Sequence, residues 1–136
     1  MKVKCITNSG KFLSKKNILL GNSAKYGRDY LMIGKIYTVY GIIWVKGTIN
    51  YLIAIDENTP FFEPGDFFEI IGSSIPSNWF YNSFKEGNVE VILGYKELVL
   101  NPKHNIELAL RESVDDLKIF YHRKWEIDEW EKKENK

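Results

Sequence analysis

Cysteine is nearly absent from this 136-residue chain, which holds a single one, Cys5. One cysteine forms no internal disulfide, and a zinc site built from several cysteine ligands is excluded. Long apolar runs are also missing. The longest, such as Ile42–Val45, are far shorter than the ~20 residues that cross a membrane. Since Met1–Thr7 has no apolar stretch of signal-peptide length, we expect a cytoplasmic protein that does not enter a membrane.

Net charge is small as well, at +1, so the total charge favours no class of partner. What is abundant is apolar and aromatic surface, in 44% and 15% of the residues. That much apolar surface offsets the conformational entropy lost on folding, which excludes a disordered chain. The length suits one domain, and we assign residues 1–136 to it.

Residues typical of β-strands dominate the middle of the chain. The segments 36–45 and 48–55 are rich in Ile, Val, Tyr and Thr, and Lys46-Gly47 connects them. Two such runs joined by two residues that include glycine predict a β-hairpin. Shorter strands are predicted at residues 2–7, 67–71 and 88–93. Asp56–Asp66, which contains two prolines and a glycine, is predicted to be a loop.

After Gly94 the apolar residues take up helical spacing. Asn101-Pro102 is a favourable helix start, and Ser113 followed by Asp116 is a variant of the capping box. Strands followed by helices indicate the α+β class. We expect a strand-rich part over residues 1–94 and a helical part over residues 95–132. The strands are expected to form a small, strongly bent antiparallel sheet that resembles an SH3-like barrel.

Motifs of catalysis are not evident. Cys5 lies in a predicted strand, far in sequence from both histidines, and free cysteines of this kind are usually buried. His104 and His122 fit no metal-binding pattern, and the sequence has no Gly-x-Ser-x-Gly elbow. We interpret both as ordinary surface or half-buried histidines, and we expect no enzymatic activity, metal or cofactor. An enzyme built on a carboxylate pair that spacing does not reveal is the remaining alternative.

Charge is distributed unevenly along the chain. Residues 1–46 carry a net charge of +8, and residues 47–136 carry −7. Residues 56–69 contain no basic residue, and their acids are Asp56, Glu57, Glu63, Asp66 and Glu69. An acidic loop that also bears Phe61 and Phe62 suits a cationic partner, because complementary charge speeds encounter and apolar anchors hold the complex. Alternatively, the two charged regions are solvated and face each other within one fold.

The basic N-terminal part permits a second function, the binding of nucleic acid. Small barrels often bind RNA or DNA, and the side chains that could contact phosphates are Lys11, Lys15, Lys16, Lys25 and Arg28. The charge of the whole domain is nearly zero, whereas such binders usually have a basic excess. Nucleic acid is therefore the less favoured partner.

Several segments resemble a group of small bacterial proteins, the immunity partners of polymorphic toxins, including those of contact-dependent growth inhibition systems. The resemblance covers roughly residues 34–125, and the segments that carry it are Gly34–Ile42, Tyr51–Asn58, Phe67–Ile70, Ile75–Trp79 and the helical end from Tyr95 to Trp125. It implies a protein that binds and neutralises a cognate toxin domain in the cytoplasm of the producing cell. It carries no catalytic motif.

Taken together, the charge asymmetry and the resemblance predict a non-enzymatic immunity protein. A nuclease toxin needs a cationic groove for phosphates, and an acidic loop could occupy that groove as a substrate mimic. The residues predicted to bind the toxin are Asp56, Glu57, Glu63 and Asp66 through charge, and Phe61 and Phe62 as anchors.

Overall fold

The computed structural model describes residues 1–15, 17 and 28–134. In these residues eight strands come first: β1 (Lys2–Cys5), β2 (Ile36–Thr38), β3 (Gly41–Val45), β4 (Thr48–Ile55), β5 (Thr59–Pro64), β6 (Phe68–Gly72), β7 (Phe80–Ser83) and β8 (Val89–Gly94). Three helices follow: α1 (Lys96–Leu100), α2 (Pro102–Leu110) and α3 (Val114–Glu134). This order confirms the α+β class.

The described strands form two antiparallel sheets. One has three strands in the order β2-β1-β6, and the other has five in the order β5-β4-β3-β8-β7. Within the described residues these pairings do not close into a barrel, so the SH3-like part of the expectation stays a prediction. In the same part of the chain, none of the helices has both the length and the apolar character that crossing a membrane requires.

Two apolar clusters place the five-stranded sheet in the middle of the molecule. The first cluster joins one face of that sheet to the three-stranded sheet through residues such as Val3, Tyr37 and Ile53. The second joins the opposite face to the helices, and it includes Leu52 and Phe120. The helices therefore pack on the side of the large sheet that faces away from the small sheet.

The predicted central hairpin is confirmed by β3 and β4. Val45 pairs with Thr48, and the two residues between them, Lys46 and Gly47, have φ angles of 47° and 78°. Positive φ at both positions is the geometry that joins two twisted strands most directly, and glycine adopts it at low cost. The strand predicted over residues 2–7 is also confirmed as β1, with Cys5 buried.

A close approach between sheet and helix explains the glycine at the start of β3. Gly41 pairs with Gly94 of β8, and both lie under Leu98 of α1. A Cβ atom at Gly41 would lie 2.2 Å from Leu98 Cδ2. Glycine at position 41 therefore leaves room for a buried leucine.

Two strands escaped the sequence analysis. The segment predicted as a loop over Asp56–Asp66 contains β5, so that prediction is wrong for Thr59–Pro64. Prolines argued against a strand, but β5 lies at the edge of its sheet, where a missing N–H does not interrupt a ladder. The second missed strand, β7, is a short edge strand of four residues.

A buried polar network joins the three helices, and it corrects the expectation for His104. This side chain is fully buried rather than half-buried or at the surface. Its Nε2 lies 2.7 Å from the Tyr95 hydroxyl, and its Nδ1 lies 2.8 Å from Asp116 Oδ1. Ser113 caps α3 by accepting a hydrogen bond from the Asp116 N–H and donates its own hydroxyl to the same carboxylate. The Ser113 hydrogen bond, followed by that of His104, lowers the Asp116 pKa.

Candidate functional site

The acidic turn between β4 and β5, residues 56–58, places two carboxylates at one end of the large sheet. Ile55 pairs with Thr59, so Asp56, Glu57 and Asn58 form the turn, and all three are exposed. Asp56 has a φ of 57°, a left-handed conformation that aspartate and asparagine adopt more readily than most residues. In the part of the chain that the structure describes, neither carboxylate has an ion-pair partner. The acidic turn therefore presents two uncompensated negative charges.

A groove of about 470 Å³ separates the acidic turn from α3. Tyr40 and Asp128 line it, and the Tyr40 hydroxyl donates a 2.6 Å hydrogen bond to Asp128 Oδ1. Lys124 donates to the other oxygen of Asp128 at 2.7 Å and lies over the Tyr40 ring. Burial, reinforced by the Asp128 carboxylate, raises the Tyr40 pKa well above its ordinary range. Lys124 therefore compensates the charge of Asp128, and the other charged side chains that line the groove are Asp56, Glu57 and Lys35.

Phe61 and Phe62 lie in β5 and point to opposite faces of the sheet, as successive strand residues do. Phe61 stacks on Tyr30 with a centroid separation of 4.9 Å, and the Arg111 guanidinium lies 4.1 Å above its ring. Phe62 packs with the cluster beneath the helices. Both rings are half-buried. They do not form the joint exposed anchor that a loop would have presented.

Glu63 is enclosed, with 2% of its surface exposed. Its carboxylate accepts a hydrogen bond from the Tyr30 hydroxyl and lies 3.5 Å from Arg28 Nε. Burial raises the Glu63 pKa, although the contacts with Tyr30 and Arg28 act in the opposite direction. The side chain thus connects β5 to the segment near Arg28. This contact agrees with the alternative reading of the sequence, in which the basic and acidic regions face each other within one fold.

Asp66 has a comparable internal role. Its carboxylate accepts hydrogen bonds from the Ser14 N–H at 2.7 Å and from Asn17 Nδ2 at 2.9 Å. The side chain is half-buried and holds the N-terminal segment against the 3₁₀ turn at Gly65–Phe67. Of the acids predicted to meet a partner, the structure leaves Asp56 and Glu57 fully on the surface and brings them together.

Sequence reasoning missed the contribution of α3 to this groove. Phe120, Lys124 and Asp128 are spaced four residues apart, which places them on one face of a helix. That spacing was visible in the sequence. Nothing in the sequence indicated that Tyr40, from the junction of β2 and β3, would lie beneath that face.

The basic residues predicted to contact phosphates are divided in the structure. Lys11 and Lys15 are exposed, whereas Arg28 is engaged with Glu63 and lies over the Phe67 ring. Lys16 and Lys25 lie outside the described residues. The nucleic-acid hypothesis stays a prediction, with Arg28 occupied by internal contacts.

The described residues hold no group of three His, Cys, Asp or Glu side chains arranged to bind a metal ion. No protein-family model matches the chain, and neither curated proteins nor solved structures give a significant match.

Proposed function

We propose that this protein is a non-enzymatic immunity protein that binds and neutralises a cognate cytotoxic protein domain in the cytoplasm. The observation that carries the proposal is the acidic turn, whose two exposed carboxylates have no ion-pair partner among the described residues. The resemblance to immunity partners of polymorphic toxins supports the same reading. The SH3-like relation of the strand region rests on that resemblance alone.

Charge complementarity gives the mechanism. A toxin that cleaves nucleic acid must present cations to phosphates, and the acidic turn can occupy that cationic groove and exclude the substrate. The turn closes the hairpin of β4 and β5 within a five-stranded sheet, so strand pairing orders the backbone that carries the carboxylates before binding. A surface ordered in advance loses less conformational entropy on association.

A co-expression experiment tests this proposal. The C-terminal domain encoded by the immediately upstream gene is produced together with the wild-type protein, and cell growth and co-purification are measured. We expect the wild-type protein to protect the cells and to co-purify with that domain. The double variant Asp56→Asn/Glu57→Lys should weaken both effects, because it removes the free negative charge while asparagine keeps the left-handed backbone at position 56.

The control for a charge reversal elsewhere on the surface is Glu86→Lys. Glu86 is an exposed glutamate in the β7–β8 connection, at the end of the large sheet opposite the acidic turn. This variant should protect cells as well as the wild type does. A wild-type protein that neither protects cells nor forms a complex with that domain would contradict the proposal. Equal losses of protection and co-purification in both variants would show that the acidic turn is not the binding surface.

A further inference from the structure

A second concavity, a cleft of about 440 Å³, lies between the connection ahead of β7 and another side of α3. None of the residues that line it also lines the groove beside the acidic turn. Its volume falls in the range of clefts that hold small organic molecules. The proposed toxin-binding surface does not account for this cleft.

Aromatic rings form much of the wall of the cleft. Trp79 and Phe80 contribute from the connection and β7, Tyr95 from the residue before α1, and Trp130 from α3. Both tryptophans are half-buried, and Phe80 is 40% exposed. Large flat surfaces that remain accessible favour planar ligands, because ring stacking adds to the gain from burying apolar area.

Among the charged side chains at the cleft, only Lys96 has no ion-pair partner in the described residues. Arg123 donates two hydrogen bonds to Glu97, at 2.7 and 2.8 Å, and one to Glu126 at 3.1 Å. Glu126 is also 2.7 Å from His122 Nε2. Arg123 and Glu126 are therefore held by each other and by groups beside the cleft. Lys96, exposed at the start of α1, has no ion-pair partner among the described residues.

One residue that lines the cleft also has a polar atom without a partner. The Trp79 indole nitrogen is buried and has no acceptor in the described part of the chain. Buried donors in folded proteins are nearly always paired, so a lone donor in a cleft wall is unusual.

We propose that the cleft binds a small planar aromatic anion, whose ring packs against the indoles of Trp79 and Trp130 and whose acidic group pairs with Lys96. The ligand class follows from the aromatic side chains that line the cleft and from Lys96, a lining cation without an ion-pair partner among the described residues. This binding is independent of the proposed toxin contact.

Calorimetric titration of the full chain with three matched probes tests the proposal. Indole-3-acetate carries the anion, indole-3-acetamide is its neutral counterpart and tryptamine is cationic. We expect the acetate to bind about two- to fivefold more tightly than the amide, with tryptamine the weakest, since one charge contact at an exposed lysine changes affinity by roughly that factor. Lys96→Gln should remove the difference between acetate and amide, and Trp130→Ala should weaken both.

Lys103→Gln is the control, because Lys103 is an exposed lysine of α2 outside the cleft. It should leave every affinity unchanged. Acetate and amide binding equally to the wild type would overturn the proposal, and so would unchanged selectivity in Lys96→Gln or the absence of binding by any probe at millimolar concentration. Lys96 is exposed and without an ion pair, so its variant keeps the test decisive even where Trp130→Ala fails to fold.

Discussion

Glu63 shows how the surroundings of a single residue decide its role. The carboxylate is buried between Tyr30 and Arg28, and burial raises its pKa. A raised pKa means that the folded state holds the proton more tightly than the unfolded chain does. The stability contributed by Glu63 is therefore complete below its unfolded pKa, about 4.3, and is lost as the pH rises through the folded pKa.

That sign predicts the pH dependence of a Glu63→Gln variant. Glutamine does not titrate, so the variant does not lose stability through this group as the pH rises, whereas the wild type does. The destabilisation caused by the substitution should therefore be largest near pH 4 and should shrink towards pH 7. Urea unfolding at both pH values measures it. Glu57→Gln, in the acidic turn, is the matched control and should change the free energy of unfolding by ~0.5 kcal/mol or less at either pH. A destabilisation that grows with pH would contradict this account of Glu63.

His104 gives a second prediction at this scale. His104→Ala should lower the free energy of unfolding by ~2–4 kcal/mol, because it opens a cavity and leaves the buried Tyr95 hydroxyl without its partner. His122→Ala, an exposed position on α3, should cost ~0.5 kcal/mol or less. Thermal or urea unfolding measures both. Equal costs for the two variants would show that the buried network contributes little.

These residues also show where reading the sequence succeeds. Cys5 was correctly expected to be buried, since an apolar residue in an alternating strand has one natural face. The burial of His104 and Glu63 was missed. Each depends on partners brought close by the fold: Tyr95 and Asp116 for His104, and Tyr30 and Arg28 for Glu63. Residue type alone indicates solvent exposure for both.

Among the secondary-structure elements, the contact between β3 and α1 makes the sharpest prediction. Gly41→Ala should destabilise the fold by ~1–3 kcal/mol, because the new Cβ would lie 2.2 Å from Leu98 Cδ2 in a filled core. Gly72→Ala is the control, since a Cβ there meets nothing closer than 3.7 Å, and it should be neutral or slightly stabilising. Urea unfolding measures both variants.

Combining Gly41→Ala with Leu98→Ala separates the close approach from other effects of the substitution. The double variant should be more stable than the sum of the single losses predicts, because the clash requires both side chains. Strictly additive losses would mean that Leu98 is not the reason for glycine at this position.

Elements with a strong local signal were predictable, and edge strands were not. The β3–β4 hairpin and α3 follow from strand propensity, turn chemistry and the Ser113 cap. β5 contains two prolines, and β7 has only four residues. Their strand geometry depends on pairing with β4 and β8, which is a tertiary interaction that local sequence does not encode.

At the scale of the whole molecule, the charge asymmetry of the sequence takes a more specific form. Some of the N-terminal positive charges pair with acids inside the fold, as Arg28 does with Glu63 and the Met1 amine does with Glu131. What remains at the acidic turn is a pair of exposed carboxylates on the hairpin of β4 and β5. Of the acids predicted from the sequence, the candidate site therefore keeps only those of the acidic turn. It gains one face of α3, which the sequence analysis did not include.

The rate at which this protein associates with the proposed partner, the C-terminal domain encoded by the immediately upstream gene, tests the central claim most directly. Surface charge acts mainly on encounter, and salt screens it within ~10 Å at 0.1 M ionic strength. Stopped-flow measurements at low and high salt should show Asp56→Asn/Glu57→Lys associating about three- to tenfold more slowly than the wild type at low salt, with a smaller difference at high salt. Glu86→Lys should match the wild type. Association rates of the double variant equal to those of the wild type at both salt concentrations would contradict a partner steered by the acidic turn.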